Sequence, residues 1–233
     1  MTDYRRQMLE EMEVRGFDHK TVKVYIRAME RFMDFFGGKP ESADADDIKK
    51  YQRYLRNEKG LAPNSVNGHI CGIRFYYRQI LGRHQYVDLI PKIKVPSLAP
   101  VVLSEQEIAS MITSVNKIFY KAVITLMYSS GLRNEELRNL KTVDIDSTRM
   151  VIHVRSGKGR RDRQAILSQH ALDLLRRYWR ECRLDKPKSD WLFIPSKTNT
   201  GNYDKPLSAT SIGYMLNIAA NAAGVKKKFI PTY

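Results

Sequence analysis

Two short motifs contain side chains that could act on a phosphate group. In the first, GLRNEEL at residues 131–137, a glycine should end one helix, and Arg133 stands at the start of the next. There the guanidinium and the free backbone N–H groups could face the same phosphate. Glu136 follows three residues later on the same helical face, where its carboxylate could hold the guanidinium in one orientation.

The second motif is a basic, glycine-rich turn, SGKGRRDR. Gly157 and Gly159 flank Lys158, so the turn could bring its backbone and an ammonium group close to a nucleic acid strand. The strand-like segments MVIHV and RQAIL lie on either side and predict a β-hairpin with this turn at its tip. Four arginines around the tip are further candidates for contact with nucleic acid: Arg155, Arg160, Arg161 and Arg163.

Each motif alone also has an interpretation without a function: the first could be an exposed helix with an ion pair, and the second a solvated basic turn. Their joint occurrence in this order, with a strand-like segment between them, favours a phosphate site. The elements that must position them are helices. A capping box formed by Ser104 and Glu107 begins one, KAVITLMYSS predicts another that stops at Gly131, and two more are predicted at about 169–182 and 209–223.

Before residue 88 the apolar residues follow helical spacing throughout and predict a unit of four helices, with Asp18 as the N-cap of the second. We expect both cysteines, Cys71 and Cys182, to be buried thiols. We also expect the aromatic side chains of this unit to pack in its core. They are Tyr25, Phe32, Phe35, Phe36, Phe75, Tyr76 and Tyr77.

The segment DLIPKIKVPSLAPVV contains three prolines and predicts a linker over residues 88–102. It would join a helical domain, 1–87, to a second, mainly α domain with a small sheet, 103–233. The charge is uneven, because residues 91–233 hold 24 Lys and Arg against 12 Asp and Glu, within a total net charge of +15. This excess favours a polyanionic partner such as nucleic acid.

Several classes of protein fit poorly. Two cysteines are too few for a secreted disulfide scaffold. The first twenty residues are too charged for a signal peptide, and no apolar run approaches the ~18 residues of a membrane span. We therefore expect a cytoplasmic protein that does not associate with membranes.

On these motifs the sequence resembles the tyrosine recombinases, the phage-integrase family of DNA strand-exchange enzymes, along nearly the whole chain. NSVNGHICGIRFYY resembles a turn and helix of the family's core-binding, SAM-like domain, with Ser65 in place of the usual Thr. Four segments resemble successive parts of its catalytic domain: LSEQEI, SSGLRNEEL, GKGRRDRQAILS and DWLFIPS. The resemblance implies a mainly α fold, with a four-helix core-binding domain before an α+β catalytic domain that carries a small β-hairpin sheet.

The resemblance also implies roles. Arg133 would be the first catalytic arginine, Glu136 its supporting acid and Lys158 the hairpin lysine. The partner would be double-stranded DNA, the process site-specific recombination or integration, and the reaction would need neither metal nor cofactor. Candidate DNA contacts in the core-binding domain lie on or near two of its helices: Lys20, Lys23, Arg27, Asn64, Asn67, His69 and Arg74.

The family continues after AAGVKKKF with a His-x-x-Arg helix, a further His or Trp and the nucleophilic Tyr, whereas this sequence stops at IPTY. None of its five histidines has an arginine three residues later, and Tyr233 stands where the His-x-x-Arg would begin. We therefore expect a truncated chain that binds DNA without cleaving it. We also expect the apolar face of its last helix to be partly uncovered.

Other functions stay open. The chain could be a fragment of a complete enzyme. It could instead be a non-catalytic remnant that occupies recombination sites, by self-association or together with an intact recombinase. Asp144 and Asp146 allow a metal-dependent nuclease, although no cluster of His or Glu joins them. The hairpin by itself is compatible with an RNA-binding or protein-interaction module.

Overall fold

The computed structural model describes residues 3–96, 101–155, 162–184, 189–195, 203 and 205–226. Lys158, Arg160 and Arg161 lie outside the described residues. Contacts divide the chain into two compact units, residues 1–98 and 99–233. Within the described residues, no helix is long and apolar enough to cross a membrane.

The N-terminal unit is helical, as predicted. Its four main helices and a short fifth one are α1 (Asp3–Val14), α2 (His19–Phe36), α3 (Ala45–Asn57), α4 (Pro63–Phe75) and α5 (His84–Asp88). A 3₁₀ turn, Pro40–Ser42, precedes α3, and a π-helical turn, Tyr76–Ile80, continues α4. The predicted cap is confirmed, because the Asp18 carboxylate accepts the backbone N–H groups of Lys20 and Thr21.

Most of the predicted aromatic core is confirmed, since Phe32, Tyr76 and Tyr77 are fully buried. Phe35 is the exception: 40% of its surface is exposed, so its assignment to the core is wrong. It lies at the border between the buried and the exposed face of α2, with one side of its ring against Tyr51 and Tyr54 of α3. The expectation of a buried thiol is also wrong for Cys71, which is exposed on α4, while Cys182 is half-buried.

A glycine sets the close crossing of α2 and α4. A Cβ atom at Gly72 would lie 2.9 Å from the Cβ of Ala28 and 2.9 Å from the backbone of Tyr25. Such distances are too short for carbon atoms, so any side chain here would push the two helices apart. Gly72 therefore fixes how α2 presents its outer face.

The first part of the predicted linker, 88–102, packs on the N-terminal unit. Ile90 is buried, and the side-chain amide of Asn67 bonds to both the C=O and the N–H of Ile93, at 2.9 and 3.0 Å. The guanidinium of Arg74 donates to the C=O of Ile90. These side chains satisfy backbone groups that have no strand to pair with. The domain boundaries themselves stay a prediction.

In its described residues, the C-terminal unit combines five helices with a small sheet. Its elements are α6 (Glu105–Ser114), α7 (Ile118–Ser130), α8 (Asn134–Arg138), β1 (Ile145–Asp146), β2 (Val151–Val154), β3 (Arg163–Ile166), α9 (Gln169–Cys182) and α10 (Ala209–Ala222). The strands form an antiparallel sheet in the order β1-β2-β3, with Val154 opposite Arg163. The capping box of Ser104 and Glu107 is confirmed. So is the helix stop at Gly131, which has a positive φ of 56°.

The predicted uncovered face of the last helix is largely wrong. Ile212, Met215 and Ala219 of α10 are buried, because α6, α7 and α8 pack against this helix. Ile218 is partly buried, and only Tyr214 among its large apolar side chains is mostly exposed.

Candidate functional site

A buried carboxylate, that of Glu136, lies at the centre of the candidate site. Its Oε1 accepts a hydrogen bond from Nη1 of Arg133 at 2.7 Å, and its Oε2 accepts the backbone N–H of Arg133 at 2.8 Å. Arg163, at the start of β3, donates Nη2 to Oε2 at 2.7 Å. The carboxylate side chain is 5% exposed, whereas those of Arg133 and Arg163 are 52% and 35% exposed. One buried anion therefore holds two arginines that still reach solvent.

Two opposing effects set the pKa of Glu136. Burial raises it, but the hydrogen bonds from Arg163 and from the backbone and guanidinium of Arg133 outweigh burial and lower the pKa to about 2. The same carboxylate raises the pKa of Arg163 above its ordinary value. Glu136 and Arg163 are therefore both charged at neutral pH.

The local sequence explains the position of Arg133. Gly131 ends α7, and Arg133 has an extended backbone that makes it the N-cap of α8. Its own N–H is bonded to Glu136, so it is not free for a phosphate as the sequence suggested. Because α8 has only five residues, the guanidinium is the group that this motif offers to an anion.

Two arginines anchor the base of the hairpin. Arg163 on β3 bonds to Glu136 and also donates to the C=O of Gly131 at 3.1 Å. Arg155, just after β2, donates Nε at 2.7 Å to Oδ1 of Asp144, whose residue is only 2% exposed. Each strand of the hairpin is thus fixed to a buried carboxylate. Contact of Arg155 and Arg163 with DNA stays a prediction.

The two carboxylates that could have formed a nuclease site, those of Asp144 and Asp146, accept hydrogen bonds from nearby groups of the chain. Oδ2 of Asp144 accepts the backbone N–H of Lys141 at 2.8 Å, while its Oδ1 receives Arg155. Asp146 accepts the N–H groups of Thr148 and Arg149 in a turn. In the part of the chain that the structure describes, no three His, Cys, Asp or Glu side chains come together as a metal site.

The predicted contacts on α2 share one exposed face. Lys20, Lys23 and Arg27 follow helical spacing along it, and all three are exposed. Lys23 and Arg27 form no ion pair with any described residue. Sequence reasoning missed Arg31, although its position four residues after Arg27 extends the same row. We call Lys20, Lys23, Arg27 and Arg31 the basic row.

The DNA contacts predicted on α4 do not share one exposed face. Asn64 is exposed near the start of the helix. Asn67 and Arg74 are engaged with the backbone of Ile93 and Ile90, so their polar groups are already used in the fold. His69 lies against α2, with its Nε2 3.4 Å from Nη1 of Arg31, and burial followed by this guanidinium lowers its pKa.

Two family descriptions match most of the chain. Residues 101–232 match "Phage integrase family". Residues 4–86 match "Phage integrase, N-terminal SAM-like domain".

Curated relatives are similar over much of their length. The protein y4qK of Sinorhizobium fredii, assigned as an integrase/recombinase, is 36% identical over 99% of this chain and 72% of the relative. A second protein from that organism, y4eF, is 40% identical over 64% of this chain and 58% of the relative. Tyrosine recombinase XerA of Pyrococcus furiosus is 28% identical over 95% of this chain and 76% of the relative.

Solved structures share the fold at low sequence identity. Lambda integrase(75-356), a dimer bound to a COC′ core site, has a TM-score of 0.72 at 15% identity and covers 99% of this chain and 81% of its own. The Tn1549 transposon integrase, in complex with circular intermediate DNA, has a TM-score of 0.67 at 17% identity, covering 100% and 82%. With these matches, the chain belongs to the tyrosine recombinase, or phage integrase, family.

Proposed function

We propose that the 233-residue chain binds double-stranded DNA in site-specific recombination or integration, and that it does not cleave DNA by itself. The family, the net charge of +15 and the relatives named integrase or recombinase support the first part. The lambda and Tn1549 integrases are bound to DNA in their structures.

One observation carries the proposal: Arg133 and Arg163 share the buried carboxylate of Glu136. A guanidinium has five N–H donors, so Arg133 keeps donors for phosphate oxygens after it has bonded to Glu136. Cations fixed in this way stabilise the negative charge that grows on a phosphate when another oxygen attacks it. They need little rearrangement during the reaction, because the carboxylate already holds them.

The hairpin lysine completes this part of the mechanism. We assign to Lys158 the donation of a proton to the leaving oxygen, as the family resemblance implies. It lies outside the described residues, but it belongs to the hairpin whose base Arg155 and Arg163 anchor to buried acids. These anchors fix in place the two strands that flank Lys158 in the sequence.

The proposed lack of cleavage rests on groups that the 233 residues do not supply. The family's reaction joins the phosphate to a tyrosine oxygen and uses a His-x-x-Arg motif, and no histidine here has an arginine three residues later. Arg133 and Lys158 stabilise charge and move a proton, but neither is a nucleophile. Without a nucleophile the covalent intermediate cannot form, however well charge is stabilised.

Fluorescence anisotropy with a labelled duplex tests DNA binding. The logarithm of the binding constant should fall linearly and steeply as the logarithm of salt concentration rises, because lysines and arginines displace counterions from phosphates. Arg133→Ala should weaken binding. Arg177→Ala, which removes an exposed arginine of α9, should have little effect. A binding constant that hardly changes with salt would contradict the proposal.

A second experiment tests cleavage. A duplex selected by the chain from a random-sequence pool is nicked within the selected sequence, so that any tyrosine attack would trap the protein on the strand. We expect no covalent protein–DNA adduct on a denaturing gel. An adduct would overturn the proposed lack of cleavage and leave the proposal of DNA binding intact.

We further propose that copies of the chain associate on DNA, or that the chain associates there with an intact recombinase. The lambda integrase neighbours are described as a dimer and a tetramer on DNA. Binding to a duplex with two copies of the selected sequence should be cooperative. Independent binding to the two copies would contradict self-association.

A further inference from the structure

The N-terminal unit contains a pocket that the proposed function does not use. It has a volume of about 430 Å³ and is lined by residues of α2, of α3 and the segment after it, and of the middle of α4. Its wall is aromatic. The ring centroid of Phe35 is 4.7 Å from that of Tyr54 and 5.2 Å from that of Tyr51. Phe35 is 40% exposed, so a planar apolar surface is open to solvent here.

Charged groups surround this aromatic wall. Arg31 and Lys59 line the pocket together with one carboxylate, that of Asp34, which leaves a net charge of +1. Nζ of Lys59 lies 5.4 Å from the ring centroid of Tyr54. The pocket therefore combines a flat apolar surface with cations, and this combination suits a planar ring that carries an anionic group.

His69 lines the pocket next to Arg31. A guanidinium can only donate, so the contact of Nη1 of Arg31 with Nε2 of His69 requires that Nε2 accept. The imidazole is then neutral, in keeping with its lowered pKa, and its proton is on Nδ1. Nδ1 is buried and has no partner among the described residues. His69 therefore adds a neutral ring, and no second positive charge, to the pocket lining beside Arg31.

The position of the pocket at the end of the basic row indicates which kind of ligand it binds. Arg31 is the last member of the basic row on α2, so a polyanion that lies along Lys20, Lys23 and Arg27 would arrive at Arg31. Nucleic acid strands provide both a row of phosphates and planar bases. Strands of this kind are typically held by positive grooves with aromatic stacking surfaces.

We propose that this pocket binds one unpaired nucleotide of the DNA strand, with its base against Phe35 and Tyr54 and its phosphate near Arg31 and Lys59. The inference rests on the proposed function and adds a ligand site to it. Because taking a base out of a duplex has a free-energy cost, DNA that already contains unpaired bases should bind more tightly than intact duplex.

The test uses two labelled duplexes that differ in one respect. One has a short gap bridged by unpaired thymidines, and the other has abasic residues in their place, so that flexibility and phosphates are matched. The full chain should bind the thymidine gap at least about fivefold more tightly, as base stacking on an aromatic side chain requires. Equal affinity for the two gaps would overturn the inference.

Variants separate the rings from the charges. Phe35→Ala and Tyr54→Ala should each abolish the preference for the thymidine gap, and circular dichroism should show a folded chain. Lys59→Gln should weaken binding to both gaps by the same factor. Tyr128→Ala, at an exposed tyrosine of α7 outside the pocket, should retain the preference. Retention of the preference by Phe35→Ala and Tyr54→Ala would also overturn the inference.

Two further outcomes are distinguishable. If the chain binds no duplex at any salt concentration, the proposed function itself fails, and this inference fails with it. If an acidic peptide with one tryptophan competes for the wild-type pocket but not for Phe35→Ala, and the two gaps bind equally, the occupant is a peptide and the nucleotide assignment is wrong.

Discussion

The two units of the chain hold their cations in different ways. In the C-terminal unit, Arg133, Arg163 and Arg155 are bonded to the buried carboxylates of Glu136 and Asp144. In the N-terminal unit, Lys23 and Arg27 of the basic row are exposed on α2 and are bonded to no buried acid among the described residues. A cation bonded to a buried acid is held in one place, which suits a reacting phosphate. A solvated cation adjusts to whichever phosphate is nearest, which suits attraction and grip.

The largest expected effect comes from breaking the buried cluster. Glu136→Gln removes the anion that Arg133 and Arg163 share, and it should destabilise the chain by about 3 kcal/mol. The matched control is Glu135→Gln, at the exposed neighbouring position, which should change stability by less than about 0.5 kcal/mol. Urea denaturation measures both. Similar effects of the two variants would mean that the buried carboxylate has no special role.

The same cluster predicts how stability depends on pH. The pKa of Glu136 is about 2 in the folded chain and 4.5 ordinarily, so folding favours the ionised form. The resulting stabilisation, roughly 3 kcal/mol, is present at neutral pH and is lost as pH falls from about 5 to about 2. The difference in unfolding free energy between wild type and Glu136→Gln should shrink over this range. A constant difference would contradict the lowered pKa.

In the N-terminal unit the corresponding weak point is helix packing. Gly72→Ala places a methyl group 2.9 Å from Ala28 and Tyr25, and it should cost about 2 kcal/mol of stability. Gly68→Ala is the matched control one turn earlier, where a Cβ would meet nothing within 4 Å. It should stabilise the helix by up to about 1 kcal/mol. Equal losses from the two variants would show that the crossing is not tight.

The smallest effects on stability are expected in the basic row. Lys23→Ala and Arg27→Ala should each change the unfolding free energy by less than about 0.5 kcal/mol. Each should reduce the salt slope of duplex binding by about 1, because one phosphate contact is lost. An unchanged slope in both variants would place the DNA elsewhere on this unit.

The sequence predicted well what neighbouring residues decide. Asp18 and the pair of Ser104 and Glu107 cap their helices as expected, since a cap depends on residues two or three positions away. The contact of Arg133 with Glu136 was predicted for the same reason. The end of α7 at Gly131 was predicted from the glycine itself, and the two strands of the hairpin were predicted from short apolar segments on either side of a glycine-rich turn.

Contacts between residues that are far apart in the sequence could not be predicted. Arg163 bonds to Glu136, 27 residues earlier, and Asn67 bonds to Ile93, 26 residues later. Neither contact can be predicted from the spacing of neighbouring residues. Asn67 and Arg74 were predicted to contact DNA because they lie on a helix that the family resemblance implicates, but the fold uses their polar groups on its own backbone. Phe35 was assigned to the core by its type, whereas the spacing of Lys20, Lys23 and Arg27 places it beside the basic row.

The two bonds between Asn67 and Ile93 have a mechanical consequence for the segment between the units. The amide pairs with the chain there as a neighbouring strand would, so the N-terminal unit extends at least to Ile93. Changes of length before Ile93 would strain or unfold that unit. Changes of length after it, among the exposed residues Lys94, Val95 and Pro96, should leave the packing of the N-terminal unit intact.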